Sequence, residues 1–147
     1  MELLRLLDAF EGHELFLITY DDVITRGMDT GSIHRTYFIE LGGKNIWLME
    51  SPLEIFLHML RVAAEEFKIL IMERPEVIAT IGSEIALPIC YMGKALGKKI
   101  VFIESLSRVH ELSRTGRLIY PIANLFLVQW EHLAKKHEKA RYGGRVF

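Results

Sequence analysis

"KKIVFIESLSR", residues 98–108, decides the fold. Ile100-Val101-Phe102-Ile103 is an unbroken apolar run with three β-branched members. A strand with one wet face would alternate. A continuous run belongs to a strand covered on both faces, as in a parallel sheet under two layers of helix. Glu104 follows with no turn residue between, and Ser105, Ser107 and Arg108 come after it. A strand therefore crosses the core and a carboxylate stands where it emerges. By pattern alone that carboxylate caps a following turn or pairs with Arg108.

Outward from this stretch, strand and helix alternate. Residues 1–10 carry Leu3, Leu4, Leu6, Leu7 and Phe10 at helical spacing. Residues 13–20 read as a strand, 21–32 as a loop rich in Asp, Gly and Ser, and 33–41 as a second strand. A long helix follows, with Ser51 as N-cap, Pro52 at the first helical position, Glu54 three residues after the cap, and Pro75 as its stop. Residues 76–80 form a strand broken by Gly82. The helix after it begins a residue or two beyond Ser83, because Pro88 weakens its first turn, and ends at Gly97. After strand 99–103 come a helix over 114–123 bent at Pro121, strand 125–129, a short helix over 130–137, and a terminal strand or tail. This order predicts an α/β fold, a parallel sheet with helices on both faces, in a single domain 1–147.

The totals narrow the class. The chain has 147 residues, half of them hydrophobic, enough to bury a core and more than a freely soluble monomer needs. No stretch reaches the roughly 18–20 uninterrupted apolar residues of a spanning helix, and the acidic start lacks a secretory n-region. Cys90 is the only cysteine, which excludes an internal disulfide; its expected place is the core, as a small hydrophobe. No metal site is expected, since the six histidines are scattered with no i, i+4 pair. A cytoplasmic location is expected. The net charge of −1 hides an asymmetry: residues 1–89 carry 7 Lys/Arg against 15 Asp/Glu, and residues 90–147 carry 11 against 4. The basic half either has ordinary solvated faces or meets something anionic, a phosphate or an acidic lipid surface. Nucleic acid is not an expected partner.

In open parallel sheets, ligands bind beyond the carboxyl ends of the strands. Two loops lie there. In "TIGSE" (80–84), Gly82 permits close approach and Ser83 can cap the next helix, with N–H groups suited to an anion. The other is "ESLSR" (104–108). Trp47 and Trp130 read as packing residues rather than sugar platforms.

Taken together, "RPEVIATIGSEIALPICYMGKALGKKIVFIESLSRVHELSRTGRLIYPIANLFLVQW", from Arg74, and the terminal "YGGRVF" closely resemble the Alg-fourteen family of asparagine-linked glycosylation. They also resemble bacterial PssD/CpsF-type polysaccharide biosynthesis proteins, and distantly the acceptor domain of MurG. The resemblance implies a Rossmann-like fold, the N-terminal acceptor half of a GT-B glycosyltransferase carried on its own chain. It implies that this half binds a lipid-diphosphate-linked sugar at a membrane surface, on the cytoplasmic face. A separate nucleotide-sugar-binding subunit would hold the UDP-sugar donor (UDP-GlcNAc in the family), so no cofactor is expected on this chain. In the eukaryotic members the product is a dolichol-linked oligosaccharide for N-glycosylation. Such a subunit would be inactive alone, working as a heterodimer.

Carried residue by residue, the resemblance makes Glu104 the active-site carboxylate facing the acceptor sugar, as base or orienting group. Gly82, Ser83, Ser105, Arg108, Arg114, Thr115 and Gly116 become candidates for the acceptor's phosphate and sugar oxygens, the arginines because their fork binds two oxygens at once. Tyr142, Val146 and Phe147 become the partner-binding end; the residues alone equally fit a terminal strand finishing the sheet. The family opens with a strand and a Gly-Gly-His loop ahead of the first helix, and this sequence begins at the helix; either the given start omits that segment, or part of the acceptor site is lost and an unpaired sheet edge is expected. Helix 53–73, with Ile55, Phe56, Leu57, Met59, Leu60 and Val62, offers a membrane contact, but core packing is the preferred reading because Glu65 and Glu66 would face an anionic surface badly. The alternative function is a non-catalytic anchor that only recruits and stabilises the partner.

Overall fold

A computed structural model describes residues 2–27, 31, 33–40, 51–83 and 85–144, with side chains from residue 5 onward. It is α/β with parallel strands throughout. After a 3₁₀ helix (Glu2–Phe10), the order is β1 (Phe16–Tyr20), α1 (Val23–Arg26), β2 (Arg35–Ile39), α2 (Pro52–Glu73), β3 (Val77–Thr80), α3 (Ala86–Ala95), β4 (Lys99–Ile103), α4 (Arg114–Ile119), β5 (Leu125–Val128), α5 (Glu131–Lys136) and β6 (Ala140–Tyr142).

Among the described residues the parallel strands pair in two groups. β1 pairs with β2, and β3-β4-β5-β6 form a second sheet in sequence order. β1 and β3 are not hydrogen-bonded to each other; Ile18 of β1 nonetheless packs against both cores. The larger core is centred on β4, where Ile100 and Phe102 are fully buried beneath Cys90, Ile119, Phe126 and Leu133. Phe102 and Phe126 stack at 4.8 Å between ring centroids. Phe102 sits two residues before Glu104 and so supports the edge from which that carboxylate emerges.

Local chemistry corrects several expected boundaries. The 21–32 loop contains α1, nucleated by a reciprocal capping box in which Asp22 accepts from the Thr25 N–H and Thr25 from the Asp22 N–H. Ser51 precedes α2 but its side chain makes no capping bond; Pro52, at the first helical position, has no N–H to leave unpaired there. α4 stops at Ile119 instead of bending through Pro121, because Pro121 has no N–H to continue the ladder. Pro88 is accommodated in the first turn of α3, which starts at Ala86.

α2 is anchored along β2. Arg35, at the start of β2, donates to Glu73 at 2.8 Å, and the Tyr37 hydroxyl donates to the same carboxylate. Arg61 meets Glu40, just past the end of β2, at 3.9 Å. The helix therefore spans the strand and continues past its carboxyl end by the turns before Arg61.

Candidate functional site

The carboxyl ends of β3, β4 and β5 meet around Phe102. Gly82, two residues past β3, has φ +85, and a Cβ there would lie 2.9 Å from Phe102 Cζ and 3.7 Å from Thr115 Cβ. Its N–H donates to Thr80 Oγ1 at 3.0 Å, so it is already engaged and not one of the free anion donors expected in this loop. Ser83 is half-buried, and its carbonyl accepts the Ala86 N–H that opens α3.

Glu104 is 1% exposed. Oε2 accepts from the Ser113 N–H at 2.8 Å and from Ser113 Oγ at 3.1 Å, and Oε1 accepts from the Ser105 N–H at 3.1 Å. Ser113 is the N-cap of α4, its hydroxyl oxygen taking the Gly116 N–H at 2.9 Å. The carboxylate thus ties the exit of β4 to the start of α4, nine residues on. Gly116 is buried against it: a Cβ there would come within 2.4 Å of Glu104 Oε2.

Four of the candidates, Gly82, Glu104, Thr115 and Gly116, are brought together in this way, with Ser105 beside them. Ser105 Oγ shares a 3.0 Å bond with Ser107 Oγ, and Arg108 is exposed at the loop tip, lining a cavity of about 290 Å³ with Ser107, Val109, His110 and Glu111. Arg114 is exposed in the first turn of α4. Arg117 is occupied by Glu111. Tyr142 is far along the sheet, half-exposed in the edge strand β6. Val146 and Phe147 lie outside the described residues, as does Trp47. Among the described residues no three His, Cys, Asp or Glu side chains gather as a metal ion requires.

Three residues at this edge are not singled out by the sequence pattern: Ser113, although a Ser before a helical run is an N-cap signal; Gln129, whose side chain donates to the Glu104 carbonyl at 3.1 Å; and His132, whose ring bonds the Val109 carbonyl. Trp130, expected to pack, is half-buried against the core, and its indole N–H also donates to the Leu106 carbonyl at 2.8 Å.

α2 carries two apolar faces, not one. Val62, Ile69 and Leu70 are buried. Leu53, Phe56, Leu57, Leu60, Phe67 and Ile71, at three- and four-residue spacing on the opposite side, are all 45% exposed or more. Neither acidic residue held against a membrane contact lies on that stripe. Glu66 faces inward and is fully buried, and Glu65 pairs with Arg61 on the flank. The tip of α1 adds Val23 and Ile24, both strongly exposed, at the same carboxyl end of β1 and β2. No helix among the described residues is long and apolar enough to cross a membrane.

Fold and edge together define a Rossmann-like α/β fold whose loops after β3 and β4 meet at the carboxyl ends of its strands. A family model described as "Oligosaccharide biosynthesis protein Alg14 like" matches residues 45–146, and the chain belongs to this family. It is 44% identical over 77 residues to the UDP-N-acetylglucosamine transferase subunit alg14 of Schizosaccharomyces pombe, covering 49% of this chain and 37% of the relative. With the Candida albicans subunit ALG14 the identity is 40% over 81 residues, 51% of this chain and 37% of the relative. The human subunit ALG14 is 29% identical over 127 residues, 80% of this chain and 57% of the relative. The chain thus spans little more than a third of the length of the yeast relatives and about half that of the human one.

Proposed function

We propose that this chain is the acceptor-binding, membrane-recruiting subunit of a split GT-B glycosyltransferase. With a separate nucleotide-sugar-binding subunit, it transfers a GlcNAc-like sugar from a UDP-sugar to a lipid-diphosphate-linked saccharide at the cytoplasmic face of a membrane. The observation that carries the reading is the convergence of the Gly82 and Glu104–Ser113 loops at one sheet edge, the same end at which α2 and α1 present exposed apolar side chains. The relatives' names, each a UDP-N-acetylglucosamine transferase subunit, support it.

In this reading the apolar end of α2 rests in the lipid interface and brings the sheet edge down to the headgroups, where the acceptor's diphosphate lies. Arg108 and Arg114, both exposed at that edge, take phosphate oxygens. Attack on the donor requires a group that orients the acceptor hydroxyl and takes its proton. Glu104 Oε1 accepts one bond, from Ser105, and a carboxylate oxygen can take a second. A hydroxyl arriving from the Ser105 side meets that remaining lone pair. Tyr142 and the residues after it hold the partner subunit.

The test is reconstitution with UDP-GlcNAc and GlcNAc-diphosphate-polyprenol in vesicles. Transfer is expected only when both subunits are present; transfer by this chain alone, or by neither combination, overturns the proposal. Glu104→Gln turns one of the carboxylate's acceptor positions into an NH₂ that faces N–H donors. It should cost about 1–3 kcal/mol of stability and abolish transfer while the subunits remain associated.

The second reading, a non-catalytic anchor, draws on the burial of Glu104 and the occupation of both its oxygens. Under it, Glu104→Gln in an intact complex leaves turnover unchanged. Replacing Leu57 and Leu60 together by Asp should weaken co-sedimentation with vesicles by at least about tenfold, from the apolar area lost. The melting temperature should hardly move, since both side chains are more than half exposed.

A further inference from the structure

The loop between β4 and α4 is held from outside itself. Three side chains just beyond β5, two in the turn and His132 in the first turn of α5, reach three backbone carbonyls spaced along it. Gln129 takes that of Glu104, Trp130 that of Leu106 (2.8 Å), and His132 that of Val109. A carbonyl can only accept, so the indole N–H and the imidazole Nε2–H are the donors. Between the anchored carbonyls, Ser107 and Arg108 are exposed and line the cavity of about 290 Å³, and half-buried Ser105 bonds Ser107 through its hydroxyl. Loops of this length ordinarily sample many conformations, and a binding loop must be ordered before it can select a ligand. The Glu104 carboxylate ties the two ends of this loop, through Ser105 and Ser113. Trp130 and His132 reach its middle from beyond β5.

We propose that Trp130 and His132 are positioning residues for acceptor recognition, holding the 105–109 backbone so that Ser105, Ser107 and Arg108 meet the diphosphate-linked sugar. This rests on the acceptor-subunit reading above and adds to it the residues that set the loop's shape. Neither residue touches the reacting atoms; both act through the loop.

The plain alternative is that Trp130 is core packing whose donor happens to be satisfied. Two measurements separate them. The first is hydrogen exchange on the isolated chain. In Trp130→Phe, which keeps a ring in the core but loses the donor, and in His132→Ala, the amides of Leu106 to His110 should exchange about tenfold faster. Those of β4 and β5 should be unchanged. The second is steady-state kinetics of the two-subunit complex in GlcNAc-diphosphate-polyprenol vesicles. The acceptor KM should rise about tenfold, the KM for UDP-GlcNAc should stay within twofold, and His132→Gln, which retains a donor, should recover most of the loss. Unaltered loop exchange overturns the clamp. A loosened loop with an unchanged acceptor KM, or equal rises in both KM values, overturns the positioning role. Absence of transfer by the wild-type pair removes the acceptor-subunit reading and this role with it, while the exchange result still decides whether the clamp exists.

Discussion

Glu66→Gln is expected to leave stability nearly unchanged at pH 4 and to raise it by about 3–5 kcal/mol at pH 9. Glu66 lies on the inward face of α2, fully buried, and neither carboxyl oxygen has a hydrogen-bond partner. Burial pushes its pKa from the ordinary 4.5 up to about 8, opposed in part by the nearby Ile89 backbone amide. The neighbouring titratable group on α3 is Cys90, whose thiol is pushed up to about 12, first by its own burial and then by the Glu66 charge. With the folded pKa above the unfolded one, the native state holds a proton that the unfolded chain has released. Stability contributed by this group is whole below pH 4.5, falls by about 1.4 kcal/mol per pH unit as pH rises, and is gone above pH 8. The glutamine cannot ionise, so that slope should vanish from its profile. Urea unfolding at half-unit pH steps reads the difference directly. Parallel profiles for wild type and variant would mean that Glu66 is hydrated in solution.

Gly116→Ala should destabilise the protein by about 3 kcal/mol or more, although the same change in an exposed helix interior stabilises by about 1 kcal/mol. The sign reverses because of what surrounds the missing Cβ. Glu104 Oε2 would stand 2.4 Å away, Ser113 Oγ 2.9 Å, and Phe102 Cε1 3.3 Å. Oε2 cannot withdraw without losing both bonds to Ser113, and the Phe102 ring is fully buried against Phe126. Gly93→Ala is the control. Its Cβ would meet Ile78 Cδ1 at 2.2 Å, a closer approach still, but to the end of a side chain that can rotate away. Thermal melts should therefore show the larger loss at Gly116. If Gly93→Ala cost more, the Glu104–Ser113 tie would be looser than its bonds indicate.

Much of this edge was legible in the residue order. Unbroken apolar runs place β3, β4 and β5, and the parallel arrangement places any ligand beyond Thr80 and Ile103. Gly82 and Glu104 follow from that rule alone. The tie from Glu104 to Ser113 was not legible, because a pattern of residues does not say which donor closes on a carboxylate across nine positions. The Trp130 and His132 bonds were hidden for the same reason: they cross from the residues beyond β5 to the exit loop of β4.

α2 marks the boundary between the two kinds of information most clearly. Its residues determine a helix, through Pro52 at its start, an unbroken run of helix formers and Pro75 beyond its end. They also determine that apolar side chains fall on more than one side. A helix apolar on two faces must cover one, and local sequence does not choose which. Packing on α3 made the choice, burying Val62 and Glu66 and leaving Leu53, Phe56, Leu57 and Leu60 exposed. For two adjacent glutamates of one chemistry, tertiary structure decided that Glu65 is an ordinary surface charge and Glu66 a buried acid, because 100° of helical rotation separates water from the core.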